Sequence, residues 1–206
     1  MPRVAAIIPA YNEGKTIGSV LTAVRRSPLV DEIVVVSDGC TDNTVEVARR
    51  HGVVVIALPH NVGKGGAIAA GLAVTRAEVA LLLDADLVGL MPEHVESLVR
   101  PVLRGEADMT IGQHGLMQEI LPFFNGQRAL RREVLESLSG LEDMGFGVEV
   151  ALTRYAKDAG LRTRKVRLPN LTHVPKHKKH GRLRSVRQKI KAGWEIAKQA
   201  NRVDVS

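Results

Sequence analysis

The chain has 206 residues, 45% hydrophobic and 25% charged, ordinary values for a globular protein with one sizeable core. Its net charge is +7, and its single cysteine, Cys40, excludes a disulfide framework and fits a reducing compartment. No apolar run approaches the ~18 residues a spanning helix needs, and Met1-Pro2-Arg3 runs into a strand rather than a secretory leader, so a cytoplasmic location is expected.

Val4 to Ile8 is the first predicted strand, ending at Pro9-Ala10-Tyr11-Asn12-Glu13-Gly14. Ile17, Val20, Leu21 and Val24 then recur at helical spacing. Ile33 to Val36 is a second strand, closed by Ser37-Asp38-Gly39. A helix is expected from about Asn43, where Asn43 and Glu46 have capping-box spacing; Asp42 and Asn43 read as caps rather than ligands. Val53 to Leu58 is a third strand, and Pro59 to Lys64 leads into a small-residue helix, Gly65 to Thr75. The apolar run Val79 to Leu83 is a strand buried on both faces, and it ends in Asp84-Ala85-Asp86. Pro92 to Leu103 is a helix with Val95, Leu98, Val99 and Val102 inward, followed by a short strand, Met109 to Ile111. Further on, helices are expected near Ala129–Leu138 and Val148–Ala159 and a strand near Thr163–Leu168. A loop through Pro175 and a basic helix from about Leu183 to Lys198 complete the chain.

Strands alternating with helices imply a largely parallel sheet with right-handed crossovers. Its carboxyl edge is where such folds bind ligands. Two carboxylates there suit a hard divalent cation that keeps positions open for phosphate oxygens. Familiar nucleotide motifs are absent. The first strand-to-helix turn lacks G-x-G-x-x-G, Gly63-Lys64-Gly65 has Leu58 and Gly65 where a P-loop needs Gly and Ser/Thr, and no G-x-S-x-G elbow occurs.

Four strand-end segments remain on that edge: Pro9 to Glu13, Ser37-Asp38-Gly39, Asn61-Val62-Gly63-Lys64-Gly65 and Asp84-Ala85-Asp86. Together they resemble the nucleotide-sugar half of a GT-A family 2 glycosyltransferase, in particular dolichol-phosphate-mannose and glucosyl-3-phosphoglycerate synthases. The resemblance implies an α/β, GT-A (Rossmann-like) fold, an open, mostly parallel sheet flanked by helices. It implies one domain over 1–206, with a nucleotide-sugar half (1–112), an acceptor and sugar half (113–175) and a basic C-terminal helix (176–206). The activity implied is metal-dependent sugar transfer from a UDP- or GDP-linked donor to a hydroxyl or phosphate acceptor, with Mg²⁺ or Mn²⁺ as the Lewis acid for the leaving diphosphate.

Residue roles follow from the same resemblance. Asp86 is the first choice as metal ligand, with Asp84 nearer the ribose or supporting the metal shell. Pro9, Tyr11 and Glu13 flank the nucleotide, Asp38 reaches the base, and Lys64 offers a positive charge to nucleotide or phosphate. The glycines beside Lys64 allow close backbone approach to a ligand. Asn125-Gly126-Gln127-Arg128-Ala129 matches the family's glycine-arginine-alanine segment, which places Arg128 near donor sugar and acceptor. Leu141 to Glu149 matches the stretch lining the sugar pocket, with Glu149 gripping sugar hydroxyls and Glu142 or Asp143 as base if the reaction inverts. Val88, where dolichol-phosphate-mannose synthases commonly carry Gln, and Gly145-Phe146-Gly147-Val148-Glu149 point to the glucosyl-phosphoglycerate branch. That branch retains configuration, and Glu142 and Asp143 are then structural.

His173 fits the histidine that completes the metal site in many relatives. The rival is a zinc site of His173, His177 and His180, which interleaved lysines oppose. Residues 1–112 carry a net −3 and residues 113–206 a net +10. Residues 173–202 hold ten Lys/Arg and one acid, Glu195, with Leu183, Val186, Ile190, Trp194 and Ala197 near helical spacing. This basic amphipathic helix packs on the domain or on a second subunit of a homodimer, or touches an anionic membrane face presenting a lipid-phosphate acceptor. Nucleic acid is not an expected partner, since no aromatic interleaving accompanies the basic residues. The competing functions are a sugar-phosphate nucleotidylyltransferase, whose Gly-rich loop after strand one is missing, and a non-catalytic nucleotide-sugar or nucleic-acid-binding module.

Overall fold

The computed structural model describes residues 2–114 and 125–174, and Met1–Val174 form one compact unit. The expected basic helix, His177 and His180 lie outside the described residues, as does the ground for membrane contact or a second subunit. No described helix is long and apolar enough to cross a membrane.

In chain order the elements are β1 (Val4–Ala10), α1 (Ile17–Arg25), β2 (Glu32–Asp38), α2 (Thr44–Arg50), β3 (Val54–Leu58), α3 (Gly63–Ala73), β4 (Val79–Leu82), β5 (Leu87–Val88) and α4 (Pro92–Leu103). Then follow β6 (Met109–Gln113), β7 (Arg128–Arg131), α5 (Arg132–Glu136), 3-10 turns Leu141–Asp143 and Gly145–Gly147, α6 (Val148–Asp158), β8 (Thr163–Arg167) and β9 (Thr172–His173). Seven strands form one sheet in the order β3-β2-β1-β4-β7-β6-β8. Only β7 runs antiparallel to its neighbours. The sheet is therefore mostly parallel, as the strand–helix alternation implies.

The apolar runs of β1 and β4 are explained by burial on both faces. Val4, Ala6 and Ile8, with Val79, Leu81 and Leu83, pack under α1 and α4. Ile7, Ala80 and Leu82 pack on the opposite side with Ile68 of α3, Val134 and Leu135 of α5, and Leu152 of α6. Successive side chains alternate faces, so a central strand must be apolar at every position.

Three local expectations are corrected. The span 129–138 is not one helix: Arg128–Arg131 form β7 and only Arg132–Glu136 are helical. Ala129 and Leu130 have helical propensity, but pairing with Leu81 and Ala80 on one side and Thr110 and Met109 on the other overrides it. Asn43 makes no cap hydrogen bond; Asp42 Oδ1 accepts from the Thr44 amide at 3.0 Å instead. The small-residue helix starts at Gly63, two residues before the expected Gly65.

Candidate active site

β4 delivers its apolar run to the carboxyl edge and releases the chain just before Asp84. The short pair β5–β9 then sets Leu87 opposite His173, and the Val174 amide donates to the Asp86 carbonyl at 3.1 Å. This clamp brings a ligand atom from each of Asp84, Asp86 and His173 within 4.8 Å of one another. His173 Nε2 lies 3.3 Å from Asp84 Oδ2 and 3.8 Å from Asp86 Oδ1. Two carboxylates and an imidazole are a donor set that fits Mg²⁺ or Mn²⁺ with positions left for other oxygens.

Asp84 is held on both oxygens. Lys64 Nζ donates to Oδ1 at 2.5 Å and Gln127 Nε2 donates to Oδ2 at 2.8 Å. Lys64 also reaches Glu149 Oε1 at 2.5 Å, so one ammonium bridges two acids. Burial opposes the charge on Asp84, but the Lys64 ammonium and the His173 hydrogen bond hold its carboxyl well below the usual range. Burial opposes the Lys64 charge too, and the two carboxylates overcome it, raising the ammonium above the ordinary lysine value. For His173 the same contest ends upward: Asp84, through its hydrogen bond and charge, and Asp86 favour the protonated ring more than burial disfavours it. The cluster is thus a half-buried, charged site in which Asp84 and Lys64 favour each other's charged form.

Other expected residues gather on the same edge. Pro9 lies one residue before the end of β1, opposite Val36, and Tyr11 is exposed just beyond the strand. Asn12, at φ 56°, ties the first two loops together: its Oδ1 accepts from the Thr41 amide at 2.8 Å and the Asp42 amide at 3.3 Å. Cys40 Sγ sits 3.2 Å from both the Ala10 carbonyl and the Asn12 amide. Glu13 follows, its amide donating to Thr44 Oγ1 at 2.9 Å.

Asp38, the glycines by Lys64, Arg128 and Asp143 sit differently. Asp38 is buried, and its carboxylate accepts from the Val62 amide at 2.7 Å and the Gly63 amide at 3.0 Å, so it anchors the start of α3 instead of pointing outward. The glycines beside Lys64 make room for protein, not ligand. A Cβ on Gly65 would press on the Leu141 carbonyl, and one on Gly66 would lie 3.1 Å from the Glu142 carbonyl. Arg128 is fully buried, donating to the Asn125 carbonyl (3.0 Å), the Glu149 carbonyl (3.0 Å) and Thr153 Oγ1 (2.9 Å). Burial lowers its guanidinium to about 10, and its contacts place it behind Glu149 rather than beside it. Asp143 is exposed on the first 3-10 turn and, among the described residues, makes no hydrogen bond or ion pair with the cluster.

His114 carried no signal in the sequence, and Gly126 and Gln127 stood in the Asn125–Ala129 segment without an assigned role. A Cβ on Gly126 would lie 2.5 Å from Lys64 Nζ and 2.7 Å from Asp84 Oδ1, so any side chain there would displace this pair. The available signal for Gly126 and Gln127 was their place just before a strand, which the helical reading of 129–138 concealed.

A mostly parallel sheet with one antiparallel strand beside β4, carrying an acidic pair and a histidine at its carboxyl edge, is a GT-A fold. The chain belongs to the family Glycosyl transferase family 2, which matches residues 5–190. A glucosyl-3-phosphoglycerate synthase of Mycolicibacterium paratuberculosis is 35% identical over 114 residues, 50% of this chain and 34% of that protein. One from Petrotoga mobilis is 27% identical over 194 residues, 72% of this chain and 59% of that protein. The chain therefore spans less than two thirds of these relatives. The Mycobacterium tuberculosis glucosyl-3-phosphoglycerate synthase solved with Mn²⁺ and UDP-glucose matches with a TM-score of 0.79 at 26% identity, over 94% of this chain and 78% of that one. The same enzyme with Mn²⁺, UDP and glucosyl-3-phosphoglycerate gives 0.78 at 28% identity, over the same shares.

Proposed function

We propose that this chain transfers a hexosyl group from a nucleotide-sugar donor to a small phosphorylated acceptor, with Mg²⁺ or Mn²⁺ at the edge of β4. The observation that carries this reading is the convergence of Asp84, Asp86 and His173 within 4.8 Å where the parallel strands end. Asp86 and His173, supported by Asp84, would hold the cation, which when bound supplies a Lewis acid for the leaving diphosphate. Lys64 bridges Asp84 and Glu149 and fixes their separation. Glu149, so held, presents acceptor oxygens for sugar hydroxyls, and Arg128 fixes Glu149 through its backbone carbonyl. Pro9, Tyr11 and Glu13 border the nucleotide, with Asp38 acting through the Val62–Lys64 loop.

UDP is favoured over GDP, and a soluble phosphorylated acid over a lipid phosphate, because the matching solved enzyme carries UDP-glucose and phosphoglyceric acid. Asp143 acts as base only if the anomeric centre inverts. The test is release of nucleoside diphosphate by the full chain from UDP-glucose or GDP-mannose, with Mn²⁺, on 3-phosphoglycerate or a polyprenyl phosphate. UDP release that depends on the soluble acceptor and disappears in Asp86→Ala is expected. Undiminished transfer in excess EDTA would refute the metal-dependent reading.

A further inference from the structure

Beyond the three candidate ligands, the site contains a buried polar pair with no assigned role. Gln127 is fully buried just before β7, and His114 is 6% exposed just after β6. The two strands are paired, and the Gly112 amide donates to the Gln127 carbonyl at 2.8 Å, which sets both residues at one edge. A Cβ on Gly112 would lie 3.1 Å from Gln127 Cβ, so glycine there leaves space for the glutamine.

The hydrogen bonds have one consistent direction. An ionised Asp84 only accepts, so Gln127 must turn its Nε2 donor to Oδ2, at 2.8 Å. Its Oε1 then faces His114 Nε2 at 2.9 Å, and that nitrogen must carry a proton. The His114 ring lies against the His173 ring, 4.9 Å between centroids and tilted by 46°. His114 therefore lies beside His173 while its Nε2 is engaged by Gln127.

The geometry points to Gln127 and His114 as a positioning pair: His114 donates to Gln127, and Gln127 locks the Asp84 carboxylate in the orientation that keeps Oδ2 beside His173. Because the amide is neutral, it orients Asp84 without cancelling its charge, whereas Lys64 on the other oxygen supplies charge. This inference rests on the metal-dependent reading above.

The test uses the full chain, Mn²⁺ alone, and free Mn²⁺ followed by electron paramagnetic resonance. Gln127→Leu and His114→Leu should each weaken Mn²⁺ binding about tenfold or more, the range expected when an outer partner of a metal ligand is lost. His114→Gln, which keeps a donor at the reach of Nε2, should restore wild-type affinity. In the metal-free wild type, ring nitrogen shifts should show His114 as the Nε2–H tautomer, a readout independent of activity. Wild-type affinity in both leucine variants overturns the pair and leaves the proposed function standing. If His114→Gln binds as weakly as His114→Leu, the imidazole itself is a ligand and the donor role is wrong. Absence of Mn²⁺ binding by the wild type removes both readings. Should the leucine variants not fold, the tautomer decides, and an Nδ1–H form overturns the proposal.

Discussion

Lys64 lies 2.5 Å from carboxylate oxygens of both Asp84 and Glu149, so a single half-buried ammonium sets the spacing of the two acids. Its removal would leave two half-buried acids close together with no cation between them, which is costly. Gly126 guards the same contact from the other side, and Gly126→Ala is the sharper test because it adds only a methyl. The backbone there needs no unusual φ, so the fold should survive. The added Cβ must displace Lys64 or Asp84, and Mn²⁺-dependent nucleotide affinity should fall at least about tenfold, or ~1.4 kcal/mol, with the melting temperature nearly unchanged. Equal affinity for UDP and Mn²⁺ in calorimetry would show that the pair tolerates rearrangement. At this scale the sequence was informative about residue type and weak about direction. Asp84, Asp86 and His173 come together, and Lys64, expected to offer its charge to nucleotide or phosphate, bridges Asp84 and Glu149. Asp38 and Arg128 stand at the expected places, but both turn inward, because nearby backbone amides and carbonyls capture them. Such capture depends on loop geometry, which residue identity alone does not encode.

At the scale of elements, strands buried on both faces were legible and the single antiparallel strand was not. β1, β2 and β4 announce themselves as continuous apolar runs. β7 has four residues, two of them arginines, and its strand character comes entirely from the neighbours it pairs with. The outer edge has its own fastening. Asp108, just before β6, accepts from the Arg162 amide at 2.9 Å and from its guanidinium at 2.8 and 3.1 Å, joining the starts of β6 and β8. Those hydrogen bonds hold the Asp108 carboxyl down at about 2. A depressed folded value adds stability that is fully present above the unfolded value of about 4 and is lost as pH falls toward 2. Arg162 is exposed, so solvent screening keeps the contribution small. Asp108→Asn should therefore lower stability in urea unfolding at neutral pH, with the gap from wild type narrowing below about pH 4. A gap that stays constant down to about pH 2.5 would place the effect in packing instead of charge.

Across the whole described molecule, the two sequence halves share one sheet. β7, from the second half, inserts between β4 and β6 of the first, and β9 returns to pair with β5 beside Asp86. The site is thus assembled from residues as far apart as Lys64 and His173, and closing the sheet is what brings them together. The nucleotide half was readable because it consists of consecutive strand–loop–helix units with strand-end acids and prolines. The sugar half was not, since its key contacts come from the β6 and β7 ends and from α6. In the function proposed above, the edge of β4 binds a nucleoside diphosphate through a divalent cation held by Asp86 and His173. Calorimetric titration of UDP into the full chain, with Mn²⁺ and with EDTA, measures that linkage. Mn²⁺ should tighten UDP binding at least about tenfold, ~1.4 kcal/mol, and Asp86→Ala should erase the difference. UDP affinity that is the same with Mn²⁺ and with EDTA in the wild type would contradict that proposal.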